Sequence, residues 1–407
     1  MEVAADRAGM SADRLEWITD HFERMYIAPG KISGCQILVA RRGFPAYWRS
    51  FGQRDMARGR PVSDDTVFRI YSMSKPVTSI ALMQLYERGY FQLNDPVERV
   101  LPEFRGQKVW QSGEGDSMVL VEPTALMTFR QVLSHTGGLS YGWDPHPVDA
   151  AYRAAKIDRG PGTTVDSFLD RIGGMPLRYD PGSKWLYSMS TDVCGALVER
   201  LSGVAFDEYL SENIFKPLGM KDTAFHVAPE NAGRLAANYE RVADKSLRLI
   251  DDPESSSYLT RPTFPSGGGG LLSTTADYYQ FCDMLRRGGE RGGERIIGPR
   301  TLSMMRMNHL PGGADLTQMS ESMFSEANNA GTGFGLGFAV VTDPARTLMP
   351  ASRGEYYWGG AYSTAFFVDP VERITMVFMT QLYPSSTYPI RRQLKTLIYS
   401  ALTHSNA

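Results

Sequence analysis

Several features that mark particular protein classes are scarce or absent in this sequence. Neither charge is in excess, since 43 Lys and Arg residues stand against 45 Asp and Glu residues, and the formal net charge is −2 at pH 7. Such a chain lacks the basic surface that nucleic acids or anionic membranes require, so we expect neither as a partner. No apolar run reaches the roughly 18 residues of a membrane span, and the acidic start after Met1 is unlike a secretory signal. We therefore expect a cytoplasmic protein.

Cysteine is also scarce, and its spacing excludes the usual zinc and redox motifs. The three cysteines, Cys35, Cys194 and Cys282, are far apart, so we predict buried free thiols. The six histidines show no spacing typical of metal ligands, and the glycine-rich stretch 266–270 lacks the lysine of a phosphate-binding loop. No metal or cofactor is predicted.

What is present is the composition of a folded protein, with 42% hydrophobic residues among 407, and a clear order of secondary structure. Strand patterns occur near both termini, and helical patterns with Gly- and Pro-rich connections occur between them. The predicted strands are 35–41, 45–51, 362–368 and 374–382, and the predicted helices are one from Ser11 and those at 77–90, 129–133, 165–172, 191–201, 206–214, 275–287 and 388–402.

This order predicts an α+β fold of the α/β sandwich type. An antiparallel sheet is built from both termini and flanked by terminal helices, and a mostly helical domain is inserted into it. We assign residues 1–75 and 330–407 to the sheet domain and 76–329 to the inserted domain. The active site is expected in the cleft between them.

The strongest chemical signal is a serine and a lysine three residues apart at the start of a helix. Ser72 and Lys75 form the only S-x-x-K sequence in the chain, and this spacing puts both side chains on one helix face. The following helix is apolar around most of its circumference, so it is predicted to be buried. Burial and the positive end of a helix dipole both favour a neutral lysine, which can accept the serine proton and so create a nucleophile.

A second serine lies in a G-x-S-x-G sequence, the nucleophile pattern of α/β hydrolases. It is Ser140, in Gly138-Leu-Ser-Tyr-Gly142. That motif requires a buried strand before the serine and a helix directly after it. Here a short helical pattern and His135 precede the serine, and Trp143-Asp-Pro-His-Pro147 follows it. We therefore predict that Ser140 is not catalytic.

The Ser72 motif and two later segments resemble the serine β-lactamase and penicillin-binding-protein superfamily, and within it the class C-like family VIII carboxylesterases. Asp180-Pro-Gly-Ser-Lys-Trp-Leu-Tyr187 is similar to the tyrosine segment of the family. Tyr356-Tyr-Trp358-Gly359-Gly360-Ala361 is similar to the strand that reads Trp-Gly-Gly in many of these esterases. The three elements occur in the family's order.

The resemblance implies a role for each matching residue. Ser72 would be the nucleophile, and Lys75 with Tyr187 would take its proton and return it to the leaving alcohol. The backbone N–H groups of Ser72 and Ala361 would form the oxyanion hole. The residues predicted to contact the substrate are Trp358, Gly359, Gly360, Met189 and Tyr141. Further candidates for the pocket wall are Trp143, Phe264, Met319, Met323, Phe324 and Phe334.

The sequence departs from the β-lactamase pattern at two positions. Met189 replaces the asparagine of the family's Tyr-x-Asn sequence, and Trp358 replaces the lysine of its Lys-Thr-Gly strand. Both changes remove groups that would bind the amide and the carboxylate of a β-lactam, and so favour neutral esters. Some esterases of this type also open β-lactams weakly, and the sequence is compatible with that side activity.

These observations predict a cofactor-independent serine carboxylesterase that acts on small-molecule, short-chain acyl esters through an acyl-enzyme on Ser72. Two alternatives use the same nucleophile: a β-lactamase or D-amino-acid peptidase, and an acyltransferase in which another acceptor replaces water. An alternative of a different class is a penicillin-binding module that is acylated and then stalls. The sequence leaves the natural substrate and the oligomeric state open.

Overall fold

The secondary structure comes from a computed structural model that describes residues 2–157, 160, 162–321 and 329–406. The strands are β1 (Gly34–Arg41), β2 (Phe44–Asp55), β3 (Arg60–Pro61), β4 (Phe68–Arg69), β5 (Val109–Ser112), β6 (Val119–Val121), β7 (Asn238–Arg241), β8 (Leu247–Asp251), β9 (Leu272–Ser273), β10 (Glu290–Arg291), β11 (Glu294–Arg295), β12 (Thr332–Phe334), β13 (Ala339–Val341), β14 (Tyr356–Gly359), β15 (Ala365–Asp369), β16 (Ile374–Thr380) and β17 (Leu382–Tyr383). The α-helices are α1 (Ala5–Ala8), α2 (Ala12–Phe22), α3 (Ser74–Glu87), α4 (Phe129–Leu133), α5 (Pro147–Ala154), α6 (Val165–Gly173), α7 (Ser190–Ser202), α8 (Phe206–Leu210), α9 (Lys216–Leu218), α10 (Thr275–Arg286), α11 (Pro299–Met305), α12 (Leu316–Met319), α13 (Pro344–Thr347) and α14 (Ile390–Ser400). Two π-helical turns are Glu23–Ile27 and Ser211–Phe215, and the 3-10 turns are Tyr71–Met73, Val97–Arg99, Pro102–Phe104, Gly115–Ser117, Pro229–Arg234, Ser257–Leu259, Pro311–Gly313 and Ser385–Thr387.

An eight-stranded antiparallel sheet lies at the centre of the fold. Its strand order is β12-β13-β14-β15-β16-β1-β2-β3, so strands from both ends of the chain meet where β1 pairs with β16. Successive side chains of a strand point to opposite faces, and β1 contributes Leu38 to one hydrophobic core and Ile37 to another. The predicted α+β fold with an antiparallel sheet built from both termini is confirmed. The division into two domains remains a prediction.

Helices cover both faces of the sheet. The terminal helices α2 and α14 contact each other on one face, and α10 contacts β15 and β16 from the other side. Ser11 begins α2 as predicted, because its hydroxyl accepts a hydrogen bond from the N–H of Arg14 at 3.3 Å. The helix α3 is buried from Ser74 to Leu85 and contacts α7, which brings two predicted motifs together.

The region 76–329 also contains strands that the sequence analysis did not predict. The hairpin β5–β6 and the pair β7–β8 lie in it, and β17 joins β7 in parallel. Side chains such as Val119 and Leu249 are exposed in these strands, so the strands lack the alternation of a half-buried sheet. β5 and β7 also reach distant segments, through the bridge from Val109 to Leu177 and the pairing of β7 with β17, and local periodicity does not encode these contacts.

The remaining compositional predictions concern cysteines, metals and membranes. All three cysteines are free and buried, as predicted. Within the described ranges, no group of three or more His, Cys, Asp and Glu side chains is arranged to hold a metal ion. In the same part of the chain, no helix combines the length and the apolar character needed to cross a bilayer.

Candidate active site

Ser72 lies just before α3, in the 3-10 turn Tyr71–Met73. The α-helix itself begins at Ser74. Ser72 was predicted at the start of this helix and lies two residues before it. The Nζ atom of Lys75 donates to the Oγ atom of Ser72 at 3.2 Å. The predicted serine–lysine contact is therefore present in the structure.

Tyr187 brings the second predicted segment to the same oxygen. Its hydroxyl donates to the Oγ atom of Ser72 at 2.7 Å. The Nζ atom of Lys75 lies 4.5 Å from the centre of the Tyr187 ring, a distance typical of a cation–π contact. Tyr187 is held in the segment that leads into α7, where the N–H of Leu186 donates to the carbonyl of His135 at 2.9 Å.

The surroundings of Lys75 include two partners that the sequence analysis did not assign to it. The lysine is 1% exposed, and its Nζ atom donates to the hydroxyl oxygen of Tyr141 at 2.9 Å and to the carbonyl of Gly268 at 2.7 Å. Tyr141 was predicted to contact the substrate, and the structure places its hydroxyl on the lysine beside the serine. No local sequence pattern indicates this contact, because Tyr141 and Lys75 are 66 residues apart in the chain.

Ser140 lies in a buried polar network away from the Ser72 oxygen contacts. Its hydroxyl donates to Asp149 at 2.7 Å and accepts from the N–H of Gly142 at 3.0 Å. Arg178 pairs with Asp149 at 3.2 Å. These bonds fix the loop that carries Tyr141, so Ser140 has a structural task in the fold.

Asp192 organises the glycine-rich turn behind Lys75. This buried residue in the first turn of α7 accepts a hydrogen bond from the hydroxyl of Ser266 and another from the N–H of Gly268 at 3.0 Å. The carbonyl of Gly268 is the one that faces Lys75. The stretch 266–270, which lacks a phosphate-loop signature, therefore supplies a backbone acceptor to the lysine.

The end of β14 forms the other side of the site. The indole N–H of Trp358 donates to the hydroxyl oxygen of Tyr187 over a long 3.4 Å, and the two rings lie 5.4 Å apart. Ala361 follows in a turn closed by a hydrogen bond from Ser363 to Gly360. Outside helices and strands, the N–H groups of Ser72 and Ala361 make no backbone hydrogen bond to another described residue, and their assignment to an oxyanion hole remains a prediction.

Packing restricts the size of the side chain at two positions of this strand end, through a movable side chain at Gly359 and through the backbone at Gly360. A Cβ atom at Gly359 would lie 2.5 Å from Arg391, and one at Gly360 would lie 2.6 Å from the carbonyl of Ile70. Arg391 also binds the carbonyl of Gly360 at 2.9 Å. The substrate contacts predicted for both glycines remain predictions.

The other predicted pocket residues occupy varied positions. Met189 is 4% exposed at the start of α7, whereas Trp143 is 57% exposed and stacks on Tyr141 with ring centres 4.1 Å apart. Phe334 lies edge-on to Trp358 at 5.3 Å. Phe264 packs against Phe168 at 4.6 Å, and Met319 is buried near Trp185. Phe324 and Met323 lie outside the described residues.

His135 is a further buried group beside the site. Its ring lies 5.1 Å from that of Tyr187, and its nitrogens are within hydrogen-bonding distance of the hydroxyls of Ser188 and Thr191. Burial lowers the pKa of His135 well below 6.5, and the positive charge of Lys75 lowers it further. The imidazole is therefore neutral at ordinary pH.

Comparison with known proteins identifies the family of this chain. Residues 19–399 match the family model described as Beta-lactamase. The protein belongs to the beta-lactamase family. The Esterase EstB of Burkholderia gladioli is 30% identical to this family member over 415 residues, which cover 97% of this chain and 96% of EstB.

Two solved structures resemble this beta-lactamase family member over nearly its whole length. EstCE1, described as a hydrolase with promiscuous acyltransferase activity, has a TM-score of 0.78 at 28% identity and covers 98% of this chain and 100% of its own. Unliganded simvastatin synthase LovD from Aspergillus terreus has a TM-score of 0.80 at 26% identity, over 96% of this chain and 98% of its own. The predicted superfamily, its relation to esterases and the assignment as an enzyme of the serine hydrolase class are confirmed.

Proposed function

We propose that this protein is a serine carboxylesterase that hydrolyses neutral, short-chain acyl esters through an acyl-enzyme on Ser72. The observation that carries the proposal is the pair of hydrogen bonds at the Oγ atom of Ser72, from Tyr187 at 2.7 Å and from Lys75 at 3.2 Å. A serine hydroxyl in contact with a buried amine and a phenol matches the arrangement of an activated nucleophile with its base.

In the acylation step, the Oγ atom of Ser72 attacks the ester carbonyl carbon. The Ser72 proton passes to the Lys75 and Tyr187 pair, one of which is deprotonated in the reactive form. The carbonyl oxygen becomes an oxyanion that accepts hydrogen bonds from the N–H groups of Ser72 and Ala361. When the bond to the alcohol oxygen breaks, the pair returns the proton to the leaving alcohol, and the acyl group remains on Ser72.

Deacylation uses the same groups in the reverse direction. A water molecule gives a proton to the Lys75 and Tyr187 pair and attacks the carbonyl carbon of the acyl-Ser72 ester. The same two N–H groups bind the second oxyanion. The bond to Ser72 then breaks, its oxygen recovers the proton, and the carboxylic acid leaves.

The substitutions at two family positions support a neutral ester as the substrate. Met189 and Trp358 stand where an amide and a cation would bind the polar groups of a β-lactam. No long apolar lid segment is present in the sequence to cover a fatty acyl chain. We propose short acyl chains for this reason, with β-lactam hydrolysis as a weak side activity.

A second candidate function is acyl transfer from the same acyl-enzyme. The resemblance to EstCE1 and to LovD supports it. Trp143 offers a largely exposed ring stacked on Tyr141, where a bulky alcohol or amine could pack and attack in place of water. The balance depends on whether such an acceptor reaches the acyl-enzyme faster than water does.

Covalent labelling with a matched serine control tests the proposal. A fluorophosphonate should add to Ser72, as located by intact mass and peptide mapping. Ser72→Ala should lower the hydrolysis of p-nitrophenyl acetate by at least about 10³-fold. Ser140→Ala should keep both the label and most of the turnover of the folded enzyme.

The outcomes separate the alternatives. Fast ester hydrolysis with slow nitrocefin opening supports the esterase, and product formation with an added alcohol at the expense of hydrolysis supports the transferase. A stable acyl adduct that never turns over would indicate a binding module. Labelling of Ser140, or of neither serine, would contradict the proposal.

A further inference from the structure

The residue before Ser72 has an unusual backbone conformation. Tyr71 has a φ angle of 44°, in the left-handed region that bulky residues rarely adopt. A glycine would take this conformation without steric cost. Strained conformations persist only where the surrounding structure holds them in place, and they cluster at functional sites.

Two contacts hold Tyr71 in this position. Its ring stacks on that of Tyr362 with centres 4.1 Å apart and planes 12° from parallel. Its hydroxyl accepts a hydrogen bond from the side-chain amide of Asn238 at 2.8 Å. Tyr362 is fixed in turn, because its carbonyl accepts from the N–H of Leu382 at 3.1 Å and its ring lies 5.2 Å from that of Tyr383.

The stacked rings belong to residues adjacent to the two N–H groups of the proposed oxyanion hole. Tyr71 precedes Ser72, and Tyr362 follows Ala361. A second link joins the same two segments, because the hydroxyl of Thr364 donates to the carbonyl of Ile70 at 3.3 Å. The segments 70–72 and 360–364 are therefore connected through both side chains and backbone.

We propose that the stacked pair Tyr71–Tyr362 is a positioning clamp, which holds the N–H groups of Ser72 and Ala361 at the separation that the tetrahedral oxyanion requires. This inference rests on the proposed function. Neither ring has to touch the reacting atoms, so both are positioning residues. Oxyanion stabilisation depends on donors fixed in advance, and small displacements of such donors reduce the rate strongly.

Substitutions at Tyr71 separate the clamp from backbone strain. Tyr71→Gly removes the ring and also relieves the strained φ angle at residue 71. A loss of activity in this variant therefore cannot come from added backbone strain. We expect kcat/KM for p-nitrophenyl acetate to fall by about 10- to 100-fold in this variant. Tyr71→Phe keeps the stacked ring and should retain most of the activity.

The affinity for phenylboronic acid provides a second measurement. It should not change if Tyr71 and Tyr362 only stabilise the fold. Its boron bonds to the Oγ atom of Ser72 while the serine proton passes to the Lys75 and Tyr187 pair, which gives a tetrahedral anionic adduct in the proposed oxyanion hole. In Tyr71→Gly, the dissociation constant of this adduct should rise in parallel with the loss of kcat/KM. Tyr362→Leu should produce a similar loss, and Tyr71→Gly/Tyr362→Leu should be no worse than the more damaging single variant, because both act through one contact.

Failure of the clamp can be distinguished from failure of the proposed function. If fluorophosphonate does not label Ser72 in the parent enzyme, the proposed function fails. If the parent is labelled and hydrolyses the ester while Tyr71→Gly retains full kcat/KM, only the clamp is wrong. Multiplicative losses in the double variant, or unchanged boronate affinity despite lower kcat/KM, would also overturn it. Should Tyr71→Gly not fold, Tyr362→Leu and Tyr71→Phe decide the question.

Discussion

At the scale of single residues, burial keeps His135 neutral, and the neighbouring Lys75 lowers the pKa of His135 further. Lys75 is surrounded by oxygen acceptors from Ser72, Tyr141 and Gly268. The imidazole of His135 stays neutral, so it can pack against the Tyr187 ring without adding a second charge. A protonated His135 would have to be desolvated beside a like charge, which is costly.

His135 should make the protein less stable in weak acid. Its folded-state pKa lies below the unfolded value of 6.5, so the unfolded chain binds a proton that the folded protein does not. The free energy of unfolding should therefore fall as the pH drops below about 6.5, by up to about 1.4 kcal/mol per pH unit from this residue.

Urea denaturation of the parent and of His135→Gln between pH 5 and pH 8 measures this contribution. The other titrating groups are common to both proteins, so the difference between the two stability curves isolates the histidine. The parent should lose its relative advantage as the pH falls. Parallel curves over this range would contradict the assignment.

At the scale of elements, hydrogen bonds from the glycine-rich turn 266–270 to the first turn of α7 hold the turn in place. Asp192 in its first turn accepts hydrogen bonds from that turn, and the Gly268 carbonyl then faces Lys75. A helix start thereby positions a backbone acceptor of the neighbouring segment. Lys75 is part of α3, so the packing of α3 against α7 also helps to orient the lysine.

Gly268→Ala should disturb this arrangement. The new Cβ atom would lie 2.5 Å from the carboxylate of Asp192, so the turn or the carboxylate must move. We expect kcat/KM for an ester to fall by about tenfold or more, because the base loses its fixed position. Gly233→Ala is the matched control, since its nearest neighbour would be 3.9 Å away. Equal kcat/KM values for the two variants would show that the turn does not position Lys75.

The elements also show what the sequence could and could not predict. The helix at 129–133 has the predicted bounds, because a capping threonine precedes it and local patterning determines it. The three motif segments are joined through Tyr187, which donates to Ser72 and accepts from Trp358, and Lys75 also contacts Ser72. The contact of Tyr141 with Lys75 and the stacking of Tyr71 on Tyr362 depend on tertiary packing of segments far apart in the chain, so no local pattern reveals them.

At the scale of the whole molecule, the central sheet separates the contact of Trp358 with Tyr187 from the buried ion pair of Lys395 and Glu355. Consecutive residues of β14 point to opposite faces, so Trp358 meets Tyr187 while Tyr357 lies by Lys395 of α14. Behind the sheet, Lys395 pairs with the buried Glu355, whose other oxygen accepts from Tyr399 at 2.7 Å. Burial raises the pKa of Glu355, and the Lys395 charge opposes that rise.

A double-mutant cycle at this pair should change stability without changing chemistry. Lys395→Met leaves a buried carboxylate unpaired, and Glu355→Leu leaves a buried ammonium unpaired, so each should lower the free energy of unfolding by about 3–5 kcal/mol. The double variant should be destabilised by much less than the sum, because two apolar side chains replace the whole pair. Urea denaturation gives these energies, and fluorophosphonate labelling and kcat/KM report on the opposite face. If the changes in the free energy of unfolding of the two single variants add up in the double variant, the pair is not coupled. A loss of kcat/KM in the folded double variant would show that the sheet transmits changes at α14 to Ser72.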